Sequence, residues 1–148
     1  MKKRVIGIDY GLKRIGIAYS DENKILASPL VMVLAEKKLE VTIQKLLQTL
    51  SDHQKELSYE VEAIVVGLPL MMSGKSGLIA DEVKHFVDKL KLATPVPVHT
   101  FDERLTSVQA ERSMREANFS RKKRTKYVDT ASAVIILQNY LDMKGFAK

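Results

Sequence analysis

The spacing of apolar residues changes period near residue 35, and that change limits the folds open to the chain. Before it, apolar and β-branched residues come in short runs: Val5, Ile6 and Ile8 within residues 4–10, Ile15 and Ile17 within 14–19, and Val31 and Val33 within 25–34. Gly11-Leu12-Lys13 and Ser20-Asp21-Glu22-Asn23 separate the runs as tight turns. Three strands joined so closely pair antiparallel, as a meander. Pro29 lacks the N–H that a central strand donates, so the third strand is expected at a sheet edge or across a bulge. After the change, Leu39, Ile43, Leu46, Leu47 and Leu50 recur at helical spacing and predict an amphipathic helix over 36–57.

Strands and helices then alternate. Residues 63–68 form a continuous apolar run, as in a strand covered on both faces. Ile79, Val83, Phe86, Val87 and Leu90 mark a second helix, and PVPVHTF, residues 95–101, a fifth strand with prolines at its start. Residues 106–117 carry a weaker helical stripe, and 126–143 a strongly apolar one. A meander followed by βα units builds an α/β fold: a mixed five-stranded sheet flanked by helices, the ribonuclease H-like arrangement. No repeat or linker interrupts the 148 residues, so 1–148 is expected to form one domain.

The absence of cysteine excludes disulfides and thiolate metal sites, and His53, His85 and His99 show no ligand spacing. The basic start MKKR precedes an apolar run that Asp9 ends after four residues. It therefore reads as a strand of a cytoplasmic protein, with no membrane partner. A net charge of +6 favours a polyanionic partner.

Asp9 is expected at the C-terminal end of a central strand, where active sites of open α/β sheets gather. A buried carboxylate needs a cation, a hydrogen-bond cage or an ion pair, and Lys13 or Arg14 could supply the last. The fifth strand runs into Phe101-Asp102-Glu103-Arg104. On the last helix, Asp129 shares a face with Ser132, Ala133 and Ile136, whose modest size lets that helix end approach the sheet. In a first turn Asp129 would also complement the helix dipole. Acids from two strand ends and a helix start can converge, and a divalent cation relieves their repulsion. Hard oxygen donors without Cys or His suit Mg²⁺ or Mn²⁺. Two such ions about 4 Å apart activate a water and stabilise the leaving oxygen of a phosphodiester. Asp9, Glu103 and Asp129 are thus candidate metal ligands and, with Asp102, candidate catalytic residues. Asp102 and Glu103 compete for one role because side chains alternate along a strand, and the longer reach of Glu103 favours it.

Five of the six residues 121–126 are basic: Arg121, Lys122, Lys123, Arg124 and Lys126. They lie just before Asp129, where a phosphate backbone would pass, and Lys13, Arg14 and Arg104 could extend the patch. A solvated charged face is the competing reading. Gly74-Lys75-Ser76 imitates a phosphate-binding P-loop, but Pro69 occupies the position of its first glycine, which excludes ATP binding of that type.

The stretches GIDYGLKRIGIAYSD, IVVGLPLMMSGKSG, FDERLTS and KYVDTASAVIILQNYL together resemble the YqgF family, also called RuvX, of Holliday junction resolvases and pre-16S rRNA nucleases. The resemblance covers nearly the whole chain, in order. It implies a ribonuclease H-like fold, a cytoplasmic bacterial protein, and divalent-metal-dependent cleavage of pre-16S rRNA or branched DNA by a monomer or homodimer. Its acidic positions fall on Asp9, the Asp102-Glu103 pair and Asp129. Related junction resolvases place an acid at the end of the fourth strand; here that strand ends Gly67-Leu68-Pro69, so the second ligand must come from the fifth. The alternative is a non-catalytic nucleic-acid-binding module, against which the carboxylates speak, since a binder gains nothing by facing them to phosphates.

Overall fold

The computed structural model describes residues 1–70, 73–74, 77–105 and 126–145, with the backbone alone at 126–129. Its elements are β1 (Lys2–Tyr10), β2 (Arg14–Ser20), β3 (Ala27–Leu34), α1 (Leu39–Leu57), β4 (Tyr59–Leu68), α2 (Leu78–Ala93), β5 (Val98–Asp102) and α3 (Lys126–Lys144). One 3-10 turn, Glu103–Leu105, follows β5. The strands form a single sheet in the order β3-β2-β1-β4-β5. β1 is central, antiparallel to β2 and parallel to β4. The expected helix over 106–117 lies outside the described residues.

The mixed five-stranded sheet agrees with the sequence pattern, and the starts of β3, α1, β4 and β5 differ from it for identifiable reasons. β4 begins at Tyr59, ahead of its apolar run, because Tyr59, Glu60 and Val61 extend the parallel ladder alongside Lys2, Lys3 and Arg4. β3 begins at Ala27 because the Asp21 carboxylate accepts the N–H groups of Ile25 (2.7 Å) and Leu26 (3.1 Å), tying them into the turn. β5 begins at Val98, after both prolines, which have no N–H to donate. α1 begins at Leu39; ahead of it the Glu36 N–H donates to Thr42 Oγ1 at 2.8 Å. Pro29 occupies both of the places expected of it: β3 is an edge strand, and its register with β2 slips between Ile17 and Ala18, opposite Val31 and Pro29.

Alternation along the strands divides the core in two. Ile6, Ile8, Ile15, Ile17 and Val66 face α1 and α2, where they meet Ile43, Leu46, Val83, Phe86 and Leu90. Val5, Ala18, Val65 and Phe101 face α3 and meet Ala133, Ile136, Leu137 and Leu141. Gly7 belongs to the α3 face, and a Cβ there would lie 2.6 Å from Leu137 Cβ and 3.1 Å from the Ala133 carbonyl oxygen. Gln138 accepts from the Ala27 N–H (2.9 Å) and donates to the Ile25 carbonyl (2.8 Å) at the start of β3. Ala27 pairs with Ser20 and Tyr19 with Ile6, so that end of α3 lies toward the start of β1. α3 therefore runs antiparallel to β1, with its N-terminus toward the strand end that carries Asp9.

The opposite end of the sheet holds a cluster of rings. The Tyr59 hydroxyl is 2.6 Å from His53 Nδ1, and the Arg4 guanidinium sits 5.2 Å from the Tyr59 ring centroid and 5.6 Å from that of Tyr19. Burial pushes the Tyr59 hydroxyl up to about 12, so it stays protonated beside the imidazole. Burial also holds His53 below its ordinary value, with Arg4 adding to the effect and Glu56 opposing it. The unfolded imidazole takes up a proton near pH 6.5, before the folded one does, so acidification favours unfolding. Stability should be full above about pH 6.5 and fall below it. Urea midpoints at pH 7.5 and 5.5 should differ less in His53→Phe than in the wild type; an equal difference would remove His53 as the cause.

Candidate metal and nuclease site

Asp9 stands two residues beyond Gly7 on β1, on the same face, and is only 6% exposed. Ile8 pairs with Val66 of β4, so Asp9 and Gly67 are the next residues along these two neighbouring strands. Gly67 in turn pairs with Phe101 of β5, which faces α3. Glu103 follows Phe101 by two residues, on the first position of the 3-10 turn, and is fully buried. Its Oε2 lies 2.8 Å from where a Gly67 Cβ would be. The Glu103 carboxylate thus lies over β4, next to the strand that carries Asp9.

Asp102 takes a different direction. Its carboxylate accepts from Arg104 Nε (3.0 Å to both oxygens) and Nη2 (2.6 Å), and from the Arg104 backbone N–H (3.0 Å). It caps the 3-10 turn and holds the guanidinium in a fork. The Arg104 hydrogen bonds keep the Asp102 carboxyl below the usual carboxylate range, against a smaller opposing effect of burial. Both side chains stay partly exposed, at 24% for Asp102 and 30% for Arg104. Arg104 Nη1 lies 3.2 Å from the Cβ position of Gly74, whose φ is +89°, so the loop after β4 passes beside Arg104.

Lys13, on the turn that leaves β1 just beyond Asp9, and Arg14, which opens β2, are exposed. Asp129 is the fourth residue of α3, one helical turn ahead of Ala133, and α3 approaches from the Asp9 end. Its side chain lies outside the described residues, as do Arg121, Lys122, Lys123 and Arg124; Lys126 opens α3. Among the described residues no group of three His, Cys, Asp or Glu could hold a metal ion. Asp9 and Glu103 supply two hard oxygen donors on one face, and this chemistry fits Mg²⁺ or Mn²⁺ better than a softer ion. Tyr10, next to Asp9, is packed in the core on Phe86, with ring centroids 4.4 Å apart. Gly67 was not singled out by the sequence pattern. A glycine in a strand interior marks a close approach, and that was the available signal.

A family model described as "RuvX: Holliday junction resolvase" matches residues 3–143. A protein of Protochlamydia amoebophila is 57% identical over 95% of this chain and 94% of its own length. One of Endomicrobium trichonymphae is 44% identical over 96% of this chain and 97% of its own. Both carry the name "Putative pre-16S rRNA nuclease". Among solved structures, T. thermophilus RuvC in complex with a Holliday junction substrate superposes with a TM-score of 0.54 at 14% identity, covering 98% of this chain and 97% of that one. At that identity the likeness concerns the fold, which is ribonuclease H-like. Among the described residues no helix is long and apolar enough to cross a membrane.

Proposed function

The chain belongs to the RuvX family, and we propose that it is a divalent-metal-dependent endonuclease that cleaves phosphodiester bonds of nucleic acid in the cytoplasm. The observation that carries this reading is the pair of buried carboxylates, Asp9 and Glu103, brought to one face from β1 and from the end of β5. Carboxylates withdrawn from water repel one another and are stabilised by a cation between them. Asp9 and Glu103 would hold the ion, with Asp129 as a third ligand from α3. When bound, Mg²⁺ or Mn²⁺ supplies an activated water and neutralises charge on the phosphate. Asp102 orients Arg104 toward the loop after β4. Lys13, Arg14 and the basic residues ahead of α3 bind the phosphate backbone without reading its sequence.

The name shared by the relatives favours pre-16S rRNA as substrate, and the family's description a four-way DNA junction. Labelled versions of both, incubated side by side with Mg²⁺ or Mn²⁺, test the reading. Metal-dependent cleavage of the rRNA precursor is expected. Cleavage of the junction alone would transfer the function to DNA, and cleavage of neither would overturn the nuclease reading.

Replacing Arg121, Lys122, Lys123 and Arg124 together should weaken binding to every nucleic acid sequence. The slope of log affinity against log salt should flatten by about 0.7–0.9 for each phosphate that is no longer neutralised. A slope equal to that of the wild type would make these residues a solvated face.

A further inference from the structure

We propose that Gly67 is a positioning residue: its missing side chain is what lets the Glu103 carboxylate reach across β4 toward Asp9. The proposal deepens the metal-site reading above and rests on it for its functional half. Gly67 does not have a positive φ, so its backbone conformation does not call for glycine. The space around it does. A Cβ at position 67 would lie 2.8 Å from Glu103 Oε2, would overlap Ile136 Cδ1, and would stand 3.0 Å from Ile136 Cγ1. Two different groups therefore converge on one empty position. Ile136 belongs to α3 and packs the core, whereas the carboxylate comes from the other side, off the end of β5. Glu103 begins one strand farther from Asp9 than β4 does, because β4 lies between β1 and β5. It can approach Asp9 only over the strand between them, and Gly67 is the residue of that strand it passes.

The two contacts can be separated by mutation. Gly67→Ala should lower the melting temperature of the metal-free protein through both. Adding Ile136→Val removes Cδ1 and should recover part of that loss. In a Glu103→Ala background the cost of Gly67→Ala should shrink, a non-additivity expected of residues in contact. Mn²⁺ titrated calorimetrically gives a readout that core packing alone would not move. Ile136→Val should bind Mn²⁺ like the wild type, and Gly67→Ala/Ile136→Val about 10–100-fold more weakly, the scale of losing a group that orients a ligand. Additive effects of Gly67→Ala and Glu103→Ala in the metal-free protein would overturn the proposal. So would Mn²⁺ binding by Gly67→Ala/Ile136→Val as tight as that of Ile136→Val. A wild type that binds no Mn²⁺ would defeat the metal-site reading by itself, and the metal-free cycle then decides for or against Gly67.

Discussion

Glu103→Gln should remain folded and lose cleavage by at least about 10²–10³-fold, the scale of removing one group that stabilises charge in a transition state. The substitution keeps the shape of a fully buried side chain and removes its charge. In the proposed site the substitution replaces one of two neighbouring carboxylates by a neutral amide, which relieves repulsion rather than adding it. Asp102→Asn, one residue away, should do the opposite. It weakens the fork to Arg104 and the cap on the 3-10 turn, which should cost about 0.5–2 kcal/mol of stability while turnover stays within a few-fold of the wild type. That cost should depend on pH. Arg104 keeps the folded Asp102 carboxyl ionised to lower pH than the unfolded one, which protonates near 3.9. Its stabilisation is therefore present above about pH 4 and fades as pH falls through the folded value. The stability gap between wild type and Asp102→Asn should be widest at pH 7 and close on acidification. Cleavage assays paired with urea melts decide the matter. An active Glu103→Gln with an inactive Asp102→Asn would exchange the two roles.

Gly7→Ala should destabilise the fold strongly. A Cβ at Gly7 meets Leu137 Cβ at 2.6 Å, the Ala133 carbonyl oxygen at 3.1 Å and Leu137 Cα at 3.4 Å. Two of these atoms are backbone, and the third is fixed to it, so no rotamer change relieves the overlap. Either β1 or α3 must move, and overpacking of this kind costs about 1–3 kcal/mol or more. For a domain of this size that lowers the melting temperature by roughly 2–12 °C. Moving α3 outward would also carry Asp129 away from Asp9, so cleavage should fall further than the loss of folded protein explains. Thermal melts and specific activity, measured on the same preparation, separate the two effects. A melting temperature unchanged from the wild type would contradict the close seating of α3 on β1.

The meander was legible because its signals are local. The runs around Ile6, Ile15 and Val31 are each bounded by turn residues, and Pro29 alone marked an edge or a bulge. The longer β4 was not, because Tyr59 to Glu62 alternate polar and apolar residues at the end of the sheet and look nothing like the buried run that follows. Alternation gave Asp102 and Glu103 different directions, and the structure separates them as that argument requires: one turns to Arg104, the other lies over β4. What the pattern could not supply was distance. Whether Asp9 and Glu103 meet depends on Gly67 and on strand order, both of which are properties of packing between segments far apart in sequence. The same holds for Gly7, which reads as an ordinary break in an apolar run until α3 is placed against it.

The central claim is that Asp9 belongs to a divalent cation site, and thermal melts of wild type and Asp9→Asn with and without Mn²⁺ test it most directly. A cation bound only by the folded protein stabilises it by mass action, by about 2.7 kcal/mol at a concentration 100 times the dissociation constant. Mn²⁺ should therefore raise the melting temperature of the wild type. Asp9→Asn should melt at the same temperature as the metal-free wild type or slightly above it, since a repulsion is removed, and should not respond to Mn²⁺. A Mn²⁺ response in Asp9→Asn equal to that of the wild type would contradict the claim and take Asp9 out of the site.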